Sequence, residues 1–407
     1  MMILTSGNTY WNSISKGYKR YPTLNCNQEC DVVVIGGGIT GCLTAYYLSQ
    51  YNINTILLEK NLIANGSTAA SPCLLEYAIN TELHNLINLL GKETAIRVYK
   101  LCQKSIDDIE NILYNIRLHC DFQRKDSIYL CSDSNNENIM KTEFELRKEF
   151  NFNVEYMVKK EIENKFSFSF PCGIYSKNCG ILDPFKFCHA LLKGSSKKNT
   201  KIYENTSVVN FDYYSNNIRI NTNNDCHIYC KKIVFANNFT AHNLLKDTSV
   251  VKLKTIYSMA TEPLTTYNGW YEKCLIRESY DPNFYIRPTG DNRILACGFA
   301  DDFKSSNYCA INIERKAFNI LEKLKNLFPY IDNLKPDYCW CGTFGETKDS
   351  LPFIGKHPKF PHCYFNLGFN ENGICYSVIG AQIIKDLILY NNNPDANIFS
   401  LDRKSLK

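Results

Sequence analysis

The segment Asp31-Val-Val-Val-Ile-Gly-Gly-Gly-Ile-Thr-Gly41, followed by Thr55-Ile-Leu-Leu-Glu59, constrains this chain more than any other stretch. Its branched apolar run reads as a buried strand, its glycines as a tight turn, and the next stretch as a helix returning to a second strand. Gly36 permits the turn, and Gly38 lets a pyrophosphate approach the backbone with no Cβ in the way. Gly41 lets the helix pack close to the sheet. The helix N-terminus offers free N–H groups and the positive end of a dipole to phosphates. Glu59, ending the second strand, is placed to accept hydrogen bonds from ribose hydroxyls. A glycine turn that binds nothing would not explain that carboxylate, so the unit reads as a dinucleotide site.

The chain has 407 residues, enough for two intimately joined units. At 44% hydrophobic and 21% charged it has the composition of a globular protein, and a net charge of +5 is small for its size. Lys and Arg are scattered with no aromatic-interleaved basic stripe, so no nucleic-acid partner is expected. No apolar run of about 18 residues occurs, and no transmembrane segment or secretion signal is expected. The 19 cysteines include no Cys-x-x-Cys pair, which suits reduced thiols in a cytoplasmic protein better than a metal or redox centre. No metal site is assigned.

Further along, Asn65-Gly-Ser-Thr-Ala-Ala-Ser71 is a small, polar loop able to lie close to a flat ligand. From Lys92 to Ile116 the positions Ala95, Val98, Cys102, Ile106, Ile109, Leu113 and Ile116 form one stripe of a long helix. The mixed-charge run from Lys141 to Lys165 reads as a solvated helix face. Asp183-Pro184 reads as an N-cap and first helical residue. Strands are expected at Ile128–Cys131, Thr206–Phe211, Ile218–Asn221, Lys231–Ala236, Met259–Arg277 and Tyr285–Phe299, the last broken by the turn Thr289–Asn292. A helix from Ile313 to Leu327 should bury Phe318, Leu321, Leu324 and Phe328, and another should run from Gly373 to Tyr390. The fold class is α/β (α+β): a Rossmann-like domain with an inserted antiparallel-β domain. The expected division gives 1–100, 181–256 and 336–407 to the dinucleotide domain, and 101–180 and 257–335 to the substrate domain.

Taken together, these motifs resemble the D-amino-acid-oxidase-like FAD-dependent oxidoreductases, close to the glycine and sarcosine oxidase branch. The resemblance spans nearly the whole chain. It is carried by Asp31 to Gly41 with Glu59, Gly66-Ser-Thr-Ala-Ala-Ser71, Ile181-Leu-Asp-Pro184, and Tyr285-Ile-Arg-Pro288 with Arg293-Ile-Leu-Ala-Cys-Gly298. Thr347-Lys-Asp-Ser-Leu-Pro-Phe-Ile-Gly355 and Asn366-Leu-Gly-Phe-Asn-Glu-Asn-Gly-Ile374 complete it. It implies FAD, held non-covalently by Gly36, Gly38, Ile39, Thr40, Gly41, Glu59, Lys60, Ser67, Thr68, Val208, Gly368, Asn372, Gly373 and Ile374. Val208 would contact the adenine side, while Ser67, Thr68 and the Gly373 loop would meet the flavin. A helix starting at Gly373 would aim its N-terminus at the flavin pyrimidine and favour negative charge there. The chain departs from the family at Asn370-Glu371, where small residues are usual, and at Asn237-Asn238, where Thr or Ala precedes Gly.

The implied activity is oxidation of an amino acid or secondary amine, with hydride passing from the C–H beside nitrogen to flavin N5. Oxygen or a redox protein would be the electron acceptor. Because the flavin carries the hard step, no catalytic side chain is assigned. A carboxylate-bearing substrate needs a cation, and Arg287 is the first expectation because its fork matches a carboxylate bidentately. Tyr285 would add a hydrogen bond, and Lys348 is the third substrate-site expectation, beside the Asp349-Ser-Leu-Pro loop expected near the flavin. Trp340 and Phe344 are expected to pack. Two alternatives stand: a flavin dehydrogenase of a hydroxy acid or polyol phosphate using a protein acceptor, and a flavin-binding subunit of a larger complex.

Overall fold

The computed structural model describes residues 5–15, 17–214, 217–237, 251–279, 284–367 and 370–406. Two sheets organise them. In the first, Cys363–Leu367, His227–Phe235, Gln28–Ile35, Thr55–Leu58 and Thr200–Tyr203 run parallel in that spatial order, and Phe353–Lys356 closes one edge antiparallel. The strands Val208–Tyr213 and Ile218–Thr222 extend it from His227–Phe235. Central strands of a parallel sheet are covered on both faces, which is why Asp31–Ile35 and Thr55–Leu58 read as continuous apolar runs without alternation.

The second sheet is almost wholly antiparallel. Its spatial order is Thr5–Gly7, Pro336–Thr347, Val251–Thr261, Ile294–Asp302, Tyr285–Pro288, Leu275–Glu278, Gln123–Cys131, Cys172–Ile181 and Leu74–Leu75. Val154–Val158 also pairs with Cys172–Ile181. Its membership cuts across the expected division of the chain. Thr5–Gly7, Leu74–Leu75 and the whole of Pro336–Thr347 fall in stretches assigned to the dinucleotide domain, yet they pair in this sheet. Strand Val251–Thr261 crosses the expected boundary between residues 256 and 257.

The helices follow the sequence reading closely where a single apolar stripe decides them. Lys92–Ile116, Ile313–Leu327 and Gly373–Tyr390 occur with the expected bounds, and Asp183 caps Pro184–Ser196 through its carboxylate and the Lys186 N–H at 2.9 Å. Gly373–Tyr390 is apolar and long enough to cross a membrane by composition, but here it packs inside the fold against helices Ile39–Ser49 and Lys92–Ile116.

Four expectations need correction. In place of the strand expected at Met259–Arg277, Val251–Thr261 and Leu275–Glu278 are separate strands with the short 3₁₀ turn Tyr271–Lys273 between them. Phe318 is 60% exposed, because the buried stripe of its helix runs through Ala317, Ile320, Leu321, Leu324 and Leu327 instead. Residues 1–30, whose sequence reads as an irregular lead-in carrying several aromatics, contain the short helix Tyr10–Ile14, whose Tyr10 and Trp11 are buried. The run from Lys141 to Lys165 is not simply a solvated face. Within helix Glu137–Glu149, Glu143 and Arg147 are both buried and paired at 2.6 Å. Glu143 also accepts the N–H groups of Leu83 and His84, at 2.9 and 3.0 Å, where the helix Leu83–Leu90 begins. A carboxylate from one helix thus satisfies the orphan donors that start another.

Candidate active site

The turn after strand Gln28–Ile35 is built as its glycines require. Gly36 has φ +114°, a conformation that side chains with a Cβ avoid. A Cβ on Gly41 would stand 1.8 Å from the Gly36 carbonyl oxygen, so the helix Ile39–Ser49 meets the turn closer than any other residue allows. Glu59 holds this turn from the neighbouring strand: its carboxylate accepts the Gly37 N–H at 2.7 Å and the Asn61 N–H at 2.8 Å. Thr68 accepts the Ile39 N–H at 3.0 Å, tying the small polar loop to the first turn of the helix.

This turn opens on a cavity of about 840 Å³ that extends to the second sheet. Of the expected cofactor residues, Gly36, Gly38, Ile39, Thr40, Glu59, Lys60, Ser67, Thr68, Val208, Asn372, Gly373 and Ile374 line it. Gly41 is buried behind the turn, and Gly368 lies outside the described residues. The helices Ile39–Ser49 and Gly373–Tyr390 both begin here, joined by a 2.9 Å hydrogen bond between the Thr40 and Ser377 hydroxyls. Two positive helix ends thus meet one cavity wall, which suits the phosphates and a reducible ring of a dinucleotide. The size falls within the usual range for a small-molecule site, roughly 300–1,000 Å³.

The other end is walled by Leu74, Ile256, Cys297 and Phe344 and carries a polar group made of Glu76, Asn80, Tyr285 and Glu371. The Tyr285 hydroxyl and the Asn80 amide both donate to Glu371 Oε2, and the Tyr285 oxygen lies 2.6 Å from Asn80 Oδ1. Ser127 donates to the Glu76 carboxylate, and the Glu76 carbonyl accepts the Asn372 amide at 3.1 Å. Burial pushes the Glu371 carboxyl up to about 7, against the lowering effects of Tyr285, Asn80 and the Arg277 charge. Arg277 itself is buried outside the cavity wall, donating to the Ala78 and Ile79 carbonyls at 3.2 Å and resting over the Tyr129 ring.

Tyr285 therefore reaches the cavity, but the two cations expected beside it do not. Arg287 is 2% exposed, and its guanidinium donates to the carbonyls of Pro72, Cys73, Leu182 and Pro288 at 2.7–3.1 Å. It lies over the Trp11 ring, and with Nε and Nη1 engaged by backbone carbonyls it fastens the strand Tyr285–Pro288 to the loop behind Cys73. Lys348 is exposed and off the cavity wall. Its neighbour Asp349 is buried in an ion pair with Arg403 at 2.6 Å, so this loop anchors the C-terminal segment and does not face the cavity. Trp340 packs as expected, donating to the Ala70 carbonyl, whereas Phe344 forms part of the wall.

The residues that the sequence reading did not single out are Glu76 and Asn80. A lone carboxylate in the apolar run Leu74-Leu-Glu-Tyr77 was the only local signal for the first. None of the 19 cysteines forms a disulfide, and all but Cys26 and Cys339 are buried. Burial pushes the Cys73 thiol, on the cavity wall, up to about 12, so it stays protonated at neutral pH.

Comparison with known proteins agrees with this architecture. The chain is 24% identical over 386 residues to glycine oxidase of Bacillus subtilis, covering 92% of this chain and 97% of that one. It is 20% identical over 389 residues to gamma-glutamylputrescine oxidoreductase of Escherichia coli, covering 93% and 88%. The crystal structure of glycine oxidase from Geobacillus kaustophilus superposes with a TM-score of 0.79 at 18% identity, covering 93% of this chain and 99% of that one. Residues 31–387 match the family described as FAD dependent oxidoreductase, and the chain belongs to that family of FAD-using enzymes.

Proposed function

We propose that this enzyme oxidises an amine or amino acid at the carbon beside nitrogen. FAD, when bound, supplies the two-electron sink for that chemistry. The chain's own residues would do the rest. Gly36, Gly38 and Glu59 receive the dinucleotide half, and the start of the Gly373 helix favours negative charge at the far wall. Asn80, Tyr285 and Glu371 offer acceptors and donors that can orient an N–H-bearing substrate. Leu74, Ile256 and Phe344 shield the reacting carbon from water.

The observation that carries this reading is the continuity of one cavity from the dinucleotide turn to the Tyr285–Glu371 group. The two relatives lend support, since by name one acts on an amino acid and the other on an amine. A polyol phosphate finds little welcome here: among the described residues lining the cavity, Lys60 is the one Lys or Arg, and it stands beside Glu59 at the opposite end. Cysteines without disulfides suit a reducing, cytoplasmic setting.

Holoprotein mixed anaerobically with amines, amino acids, hydroxy acids and glycerol phosphate tests the reading without presupposing an acceptor. Bleaching of the flavin by amines or amino acids is expected, and acid should release intact FAD because the cofactor is held non-covalently. Bleaching only by hydroxy acids or glycerol phosphate would replace this reading with a flavin dehydrogenase. Silence towards all four classes would point to a flavin-binding subunit. Repeating productive reactions in air and with an artificial electron carrier then separates oxygen from a redox protein as acceptor.

A further inference from the structure

The substrate end of the cavity is lined by two carboxyl groups and by no Lys or Arg among the described residues. Glu76 and Glu371 both line it, and the nearby cation, Arg277, is buried outside the wall with its Nη1 committed to backbone carbonyls. Glu371 is also incompletely satisfied. Its Oε2 receives Tyr285 and Asn80, while its Oε1 is buried without a hydrogen-bond partner. A buried carboxylate oxygen lacking a donor is costly, and a ligand that brings an N–H to it recovers that cost.

From this geometry we propose that Glu371, together with Glu76, selects cationic amines that carry no carboxylate beside the reacting carbon. The proposal rests on the amine-oxidation reading above and narrows its substrate class. An ammonium or protonated secondary amine would donate to Oε1, forming a charge-assisted hydrogen bond in a partly dehydrated site. Leu74, Ile256 and Phe344 would cover a hydrocarbon or aromatic flank of the same molecule. An α-carboxylate in that position would meet the Glu76 and Glu371 carboxyl groups and, among the described residues at that end of the cavity, no Lys or Arg to receive it. Arg287, the cation that would have served an amino acid, is held by four carbonyls elsewhere.

The test compares each amine with its α-carboxylated counterpart on the holoprotein: phenethylamine against phenylalanine, and 1,4-diaminobutane against ornithine. Binding is read as perturbation of the oxidised flavin spectrum, and turnover separately as anaerobic bleaching. The amine of each pair is expected to bind at least roughly ten-fold more tightly. Glu371→Gln should weaken amine binding by roughly ten- to hundred-fold with flavin content retained, and Glu371→Asp should recover part of the loss. Tighter binding of the carboxylated member, equal losses for both members in Glu371→Gln, or no binding by any amine would overturn the proposal. The wild-type comparison stands even if the variants fold poorly. Amine binding without bleaching would leave cation selection intact and remove the oxidation reading. Bleaching by phenylalanine with no amine preference would do the reverse.

Discussion

The two ends of the cavity are made in different ways. The dinucleotide end comes mostly from one continuous unit, residues 31 to 59, with contacts that span few residues: Gly36 under Gly41, and Glu59 on Gly37 and Asn61. The substrate end gathers Glu76, Asn80, Tyr285 and Glu371 from three distant stretches, with Asn80, Tyr285 and Glu371 joined by hydrogen bonds. The first end is fixed by backbone conformation and tolerates almost no added volume. The second is fixed by charge and hydrogen bonding, so pH and single-charge substitutions should govern it.

The largest expected effect breaks the first end. Gly41→Val places a branched side chain where a single Cβ already collides with the Gly36 carbonyl. Overpacking of this kind typically costs about 1–3 kcal/mol, and here the collision is with backbone that cannot rotate away. The variant is expected to lose flavin on gel filtration and to unfold at markedly lower urea concentration. Retention of full flavin with an unchanged urea midpoint would show that the turn is not the rigid element described here.

The next test concerns the support beneath the second end. Burial alone would raise the Glu143 carboxyl, but the Arg147 charge and the His84, Leu83 and His84-backbone hydrogen bonds hold it down to about 2. Breaking a buried pair of this kind costs about 3–5 kcal/mol, because it strands the partner charge. Glu143→Gln should therefore destabilise the protein by about that amount at neutral pH. The sign in acid follows from the lowered value. Glu143 contributes its full stabilisation above the unfolded carboxyl range, near 4.5, and loses it as pH falls through about 2. The stability gap between wild type and Glu143→Gln should accordingly be wide at pH 7 and narrow progressively below about pH 4.5. A gap that is constant across that range would assign the stabilisation to shape and not to charge.

The smallest expected effect joins the two ends. Ser377→Ala removes the hydrogen bond to Thr40 that ties the two helix starts together, and leaves the Thr40 hydroxyl near the cavity to find another partner. A neutral bond of this type is worth about 1 kcal/mol, which corresponds to roughly five-fold in FAD affinity if both helix starts hold the cofactor. Flavin titration of the apoprotein measures it. No change in affinity would mean that the helix starts are positioned by packing alone.

The contrast between the ends also explains which parts of the site were legible. Gly36, Gly38, Glu59 and the start of the Gly373 helix could be placed because strand, turn and helix periodicities are local properties. Arg287 illustrates the opposite case. It shares a face of its strand with Tyr285, two residues away, so proximity along the chain suggested a shared role. That spacing moves it under Trp11 and against the Pro72 and Cys73 carbonyls, partners more than 200 residues away in sequence. Nothing local distinguishes an arginine that will meet a ligand from one that will meet stray carbonyls. Glu143 and Arg147 misled for a similar reason, since an i,i+4 charge pair on an exposed helix and one that caps a neighbouring helix look alike in one dimension.

The sequence by itself determined the parallel sheet, the glycine turn and the helices whose apolar stripes allow one buried face, because each follows from chain geometry over a few residues. Its likeness to a known family also extended across the chain before any contact was seen. Tertiary structure alone decided which strands joined which sheet, which cations were consumed by backbone carbonyls, and which carboxylates were left facing the cavity. The physical reason is that pairing and desolvation depend on what arrives from elsewhere in the chain. Glu371 stood out in the sequence as a departure, but only its unpartnered Oε1, beside Asn80, Tyr285 and Glu76, gives that departure a chemical meaning.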